Sequence, residues 1–193
     1  MPVIDYNVSW MLYNLYLALL ALVFGYLALL GWKWFKYIFG LLWLLYLPNT
    51  IYIFTDLEHL VYELHQVFFP FSFFLFLQYF IFEIVGITVF ILALVPFEKL
   101  VHSMPKYKHR FTLLMILFNF LIAFGMVLGR VERVNSWELF TAPIKVLNAS
   151  VNIMTSWELI GLTILFGLLC NFIYFLFRDS IIKLFRKFFY LLD

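Results

Sequence analysis

Charged side chains are scarce in this chain, only 12% of its 193 residues. A soluble domain of that length needs a far more polar surface, so that class is excluded. Cysteine occurs once, as Cys170 within an apolar run, so no intrachain disulfide can form. The net charge is +2, which carries no nucleic-acid signal. A basic n-region is missing ahead of the first apolar stretch, which is itself long enough to span, so no cleaved signal peptide is expected. No nucleophile-plus-base motif or strong metal motif occurs. The halves are not similar, which leaves an inverted-repeat transporter without support.

What the chain has in abundance is apolar and aromatic: 66% hydrophobic residues, 26 of them Phe, and a mean hydropathy of +1.01. Several runs reach the roughly 20 residues that an α-helix needs to cross about 30 Å of hydrocarbon. The composition predicts an all-α, polytopic transmembrane bundle, a single domain over 1–193 with about five spans. These fall near 10–31, 37–54, 70–95, 111–129 and 157–177.

Lysine and arginine sort the loops between those spans. Lys33 and Lys36 separate the first two, and Lys99, Lys106, Lys108 and Arg110 lie between the third and fourth. Arg178, Lys183, Arg186 and Lys187 follow the fifth, while the other side carries only Arg130, Arg133 and Lys145. This bias predicts the N-terminus outside and the C-terminus in the cytoplasm. Asp5, Asp56, Glu58, Glu63, Glu132, Glu138 and Glu158 then collect on the outer side. Over 178–193, Ile181, Ile182, Leu184, Phe185, Phe188, Phe189 and Leu192 face away from Lys183, Arg186 and Lys187. That pattern suits a helix lying on the anionic cytoplasmic leaflet.

The first polar segment is Leu47–Leu60, LPNTIYIFTDLEHL. Pro48 removes a backbone hydrogen bond inside the second span, so it kinks or ends the helix. The carbonyl it frees must find a partner in protein or in a water-lined cavity, and Asn49 and Thr50 are placed to serve. The kink then either packs or shapes a binding cavity. Thr55-Asp-Leu-Glu58 fits a capping box opening a short amphipathic helix on the outer surface near 55–66. Leu57, Leu60, Val61 and Leu64 form its apolar face; Asp56, His59 and Glu63, at i, i+3 and i+7, share another. Those three side chains could ligate a divalent metal. Asp56 and His59 could work as an acid–base pair, or the face could be a hydrogen-bonding one.

The second polar segment follows the small residues Gly125 and Gly129, whose spacing lets another helix approach closely. It reads GRVERVNSWEL, Gly129–Leu139. Arg130 and Arg133 can snorkel or present forked donors to a carboxylate or phosphate. Asp56 or Glu63 is expected to pair with one of them, or all to frame an anionic head group. SWEL occurs at Ser136–Leu139 and again at Ser156–Leu159, which predicts serine-capped helix starts with interfacial tryptophans. Within the spans, Glu83 is costly to bury and therefore a functional candidate. Gln78 lies on its outer side, and Asn119 is the expected hydrogen-bond partner.

The two segments together resemble the bacterial membrane proteins grouped as domain of unknown function 1361. The resemblance rests on Leu47, Pro48, Asn49, Tyr52, Thr55, Asp56, Leu57, His59 and Leu60, and on Gly129, Arg130, Arg133, Asn135, Ser136, Trp137 and Glu138. It covers about residues 30–177, and departs from the family where Gln78 replaces an acidic residue early in the third span. It implies a helical bundle in a bacterial cytoplasmic membrane, with no activity or cofactor attached. Three function classes stay open. The first is an accessory protein whose outer-face site, built from 47–60 and 129–138, binds an anionic head group, glycan or membrane-protein partner. The binding residues would be Asn49, Thr55, Asp56, His59, Arg130, Arg133, Asn135, Trp137 and Glu138. The second is an intramembrane enzyme on a lipid-linked substrate, with Asp56 and His59 catalytic. The third is a proton- or cation-coupled transporter using Glu83.

Overall fold

The computed structural model describes residues 2–65 and 69–185, and all of its regular elements are helical. In order they are α1 (Pro2–Leu30), α2 (Phe35–Tyr46), α3 (Asn49–Thr55), α4 (Leu57–Leu64) and α5 (Phe69–Ser103). A 3-10 turn at Lys108–Arg110 leads into α6 (Phe111–Arg130), α7 (Glu138–Thr141), α8 (Pro143–Thr155) and α9 (Trp157–Leu184). Five segments are long and apolar enough to cross a membrane: α1, the α2–α4 run, α5, α6 and α9. They match the five expected spans, though most run longer. The chain thus has the character of a multi-pass membrane protein.

Two prolines interrupt this pattern, and the fold answers both in the same way. The α2 ladder stops at Tyr46, and three carbonyls ahead of Pro48 take side-chain donors. The Asn49 amide donates to Tyr46 O at 2.9 Å and the Thr50 hydroxyl to Leu47 O at 2.7 Å, as expected. The Ser136 hydroxyl, from the second polar segment, donates to Leu45 O at 2.8 Å. Leu47 and Pro48 keep helical dihedrals, so the chain kinks without reversing. Pro96 sits inside α5. The carbonyl a proline frees is four residues earlier, and Leu92 O accepts from the Tyr26 hydroxyl at 3.3 Å. The third span therefore continues past its expected end at 95 as far as Ser103.

α1 packs on α2, α3 and α5, and α6 packs on α9. The core between them holds Trp43, Leu47, Ile51, Phe90, Met115, Met126 and Tyr174. Cys170 is buried there with a free thiol. At the basic end of the bundle α9 continues unbroken past 177. The expected surface helix over 178–193 is, up to Leu184, the last turns of that span. Residues 186–193, with Arg186, Lys187, Phe188, Phe189 and Leu192, lie outside the described residues. Arg178 consequently turns inward. Its Nε and Nη2 donate to the buried Glu98 carboxylate at 3.1 and 2.5 Å, and Tyr174 adds a third bond at 2.7 Å. This fork ties α5 to α9, and the sequence did not reveal it because Glu98 fell between two expected spans and Arg178 on an expected surface helix.

Candidate functional site

The two polar segments interlock at the other end of the bundle. Pro48 and Tyr52, one turn apart on the kinked run, sit over Gly125 and Gly129, one turn apart on α6. A Cβ on Gly125 would lie 2.5 Å from Pro48 Cγ, and one on Gly129 would occupy the position of the Tyr52 hydroxyl. The glycine pair thus serves as the close-approach surface its spacing predicted, and its partner is the first polar segment. One turn past Tyr52 and one residue past Gly129, Arg130 Nη2 meets Asp56 Oδ1 at 2.5 Å. The Arg130 guanidinium also stands 5.9 Å over the Tyr52 ring.

Asp56 is 1% exposed. Burial penalises its charge, and two donors offset that penalty: Arg130, and the Asn14 amide on Oδ2 at 2.7 Å. The anticipated capping box does not form, because Asp56 rather than Thr55 occupies the N-cap of α4 and makes no side-chain cap bond. Thr55 Oγ1 instead donates back to Tyr52 O at 2.6 Å.

Asp56, His59 and Glu63 do share a face, and that face meets α1 rather than solvent alone. α1 presents Asn7, Trp10 and Asn14, also at i, i+3 and i+7, running the opposite way. Asn14 bonds Asp56. Trp10 packs on His59 with ring centroids 5.5 Å apart. Asn7 donates to Glu63 Oε2 at 2.6 Å, and the Tyr79 hydroxyl reaches the same oxygen at 3.3 Å. Trp10 Nε1 in turn donates to Asn7 Oδ1 at 3.0 Å. This antiparallel polar zipper was missed because α1 reads as uniformly apolar. Its only trace is two asparagines seven residues apart with a tryptophan between them. Of the expected apolar face, Leu60 is buried and Leu64 partly so, while Leu57 and Val61 are exposed.

Among the described residues no three His, Cys, Asp or Glu side chains gather where a metal could be held. Asp56 and Glu63 are turned to different partners, and His59 makes no side-chain hydrogen bond to another described residue. Asp56 and His59 are therefore not assembled as a hydrogen-bonded acid–base pair.

The second segment folds back over α6. Helix α6 unwinds through Arg133, which adopts the left-handed region at φ 53. The Val134 N–H closes that turn on Leu128 O at 3.1 Å. Ser136 caps nothing, being bonded to Leu45, and Ser156 sits at the α9 N-cap without a side-chain bond. Glu138 supplies the local order instead. It accepts from Lys145 Nζ at 2.7 Å and from the Asn135 N–H at 2.6 Å. The Lys145 hydrogen bond, then the Asn135 N–H, hold its carboxyl below the usual glutamate range. Arg133 is exposed, and among the described residues its guanidinium has no carboxylate partner. Helix α8, absent from the sequence reading, covers this turn, where Asn152 bonds Glu132 at 2.8 Å.

Between α1, the kink and this turn lies a cavity of about 260 Å³. Asn14, Tyr46, Asn49 and Tyr52 form one wall; Gly129, Arg130, Asn135, Ser136 and Trp137 form the other. Of the expected binding residues Asn49, Arg130, Asn135 and Trp137 line it. Thr55, Asp56, His59, Arg133 and Glu138 do not.

The intramembrane candidates separate. Asn119 bonds Asn171 of α9 at 3.0 Å, not Glu83, because it lies on the α9-facing side of α6. Gln78 donates to Ile4 O at 3.1 Å. Glu83 Oε1 is buried without a hydrogen-bond partner among the described residues. Its neighbour follows from register: Ile53 packs on Gly86, and three residues along each antiparallel helix brings Glu83 toward Asp56.

No curated protein and no solved structure matches this chain. The family model described as Protein of unknown function (DUF1361) matches residues 13–173. That stretch takes in Asn14, both polar segments and all but the end of α9, and the chain belongs to that family.

Proposed function

We propose that this protein is a membrane-embedded binding protein whose polar cavity takes an anionic, phosphate-bearing head group. The observation that carries the reading is the composition of the cavity wall. Among the described residues Arg130 is its one charged lining residue, and phenol, indole and amide groups lie around it. Asp56, the carboxylate that orients Arg130, is buried outside that lining. An arginine fork held from behind keeps its other donors for a ligand. At about 260 Å³ the space is below that of drug-sized pockets, which start at about 300 Å³. It suits one small head group. The lysine and arginine bias supports an outward-facing cavity, and the motif resemblance supports a bacterial cytoplasmic membrane.

Saturation-transfer NMR on the detergent-purified protein tests this with glycerol 3-phosphate, glycerol and glucose as probes. Contact signals are expected for glycerol 3-phosphate alone, and they should vanish in Arg130→Lys and Trp137→Ala. Equal signals from glycerol, or signals unchanged in both variants, would sink the proposal. Glucose binding in place of glycerol 3-phosphate would transfer the site to glycans.

A further inference from the structure

On its membrane side the polar cavity adjoins a series of further cavities. It shares Tyr52, Val134, Asn135 and Ser136 with a second cavity of about 240 Å³. That one in turn shares Leu44, Leu45, Pro48, Phe124 and Gly125 with a third of about 200 Å³. The wall changes from polar to wholly apolar along this path. The third cavity ends at Phe118, whose ring is stacked against Phe97 at 3.9 Å and Trp43 at 5.6 Å. The kink explains the cleft. α3 packs closely on α6, whereas α2, on the other side of Pro48, meets it at the Trp43–Phe118 ring contact. Leu44 and Leu121, both on the rim, are 43% and 57% exposed.

We propose that this cleft holds one hydrocarbon chain of a lipid whose head group occupies the polar cavity. The proposal rests on the head-group reading and names the ligand class as a membrane amphiphile. Length supports it. From Arg130 to Phe118 the α6 helix rises roughly 18 Å, and one leaflet of a hydrocarbon core of about 30 Å is roughly 15 Å deep. A chain descending from the head group would therefore reach the aromatic floor near mid-membrane. The rim leucines leave the cleft open sideways, so the lipid can enter from the bilayer without leaving it.

The test uses a palmitoyl lysophosphatidylglycerol with a photoreactive diazirine at its chain end, and the full chain in phosphatidylethanolamine nanodiscs. Crosslinks are expected to concentrate at 118–125 and 44–48 and to be competed by unlabelled lysophosphatidylglycerol. Leu44→Trp/Leu121→Trp fills the cleft without touching the polar cavity. It should lower crosslinking about tenfold, the equivalent of expelling two or so methylenes, while the glycerol 3-phosphate signals persist. Crosslinks spread evenly over the lipid-facing helices, with those signals intact, would overturn the cleft and spare the head-group site. Loss of both in the wild type would overturn both. Should the double variant not fold, the crosslink map of the wild type decides alone.

Discussion

Replacing Arg130 by alanine should destabilise the protein through the carboxylate it leaves behind. Asp56 is 1% exposed and, among the described residues, would retain only Asn14 as a side-chain donor. Breaking a fully buried pair costs about 3–5 kcal/mol. The Arg130 side chain is 36% exposed, so water screens the pair and can reach part of the vacated space. That lowers the expected cost to ~2–3 kcal/mol, a fall in Tm of roughly 4–12 °C for a chain of this size. Asp56→Asn should cost less, about 1 kcal/mol, because Arg130 can turn to solvent and Asn14 can still bond an amide. The two changes together should cost less than their sum by about 1–2 kcal/mol, since they remove one shared interaction. Thermal unfolding of the four proteins in one detergent measures all of this. Single variants within ~2 °C of wild type, or strictly additive costs, would refute the reasoning.

Gly129→Ala should cost about 1–3 kcal/mol by overpacking, because its Cβ meets the Tyr52 hydroxyl. The cost should shrink in a Tyr52→Phe background, and an equal cost in both backgrounds would show that the helices do not meet there. Glu138 has its folded-state pKa lowered, so its contribution is present above the ordinary glutamate value near ~4.3 and is lost as pH falls through the lower folded value. Hydrogen exchange over 135–142, corrected for intrinsic rate, should show fraying only in acid, and Lys145→Ala should move that onset to higher pH; an unmoved onset would break the assignment. Glu83→Gln should change stability by no more than ~1 kcal/mol, or raise it, since it removes a carboxylate beside Asp56. A large fall in Tm would reveal a partner for Glu83.

The kink at Pro48 was legible because a proline without an N–H leaves carbonyls unsatisfied wherever it sits. Asn49 and Thr50 were legible as their donors because they follow it directly. Ser136 was not, since it arrives from far along the chain and looked like a helix cap. The end of α5 was misplaced for a related reason: Tyr26 and the core hold Pro96 inside a helix that the local sequence would have closed.

By itself, the sequence determined that the chain is helical, about how many spans it forms, and that the two polar segments emerge at one end. Hydrophobic periodicity and charge bias are local or one-dimensional properties, and they suffice for that. Only the tertiary structure decided which faces meet. A repeat at i, i+3 and i+7 says that Asp56, His59 and Glu63 lie on one side of a helix, but not how that helix is rotated. Rotation is set by packing, here by Pro48 and Tyr52 seating on Gly125 and Gly129. Once seated, they turn Asp56 to Arg130 and its neighbours to Asn7, Trp10 and Asn14, an interface no spacing on either helix encodes alone.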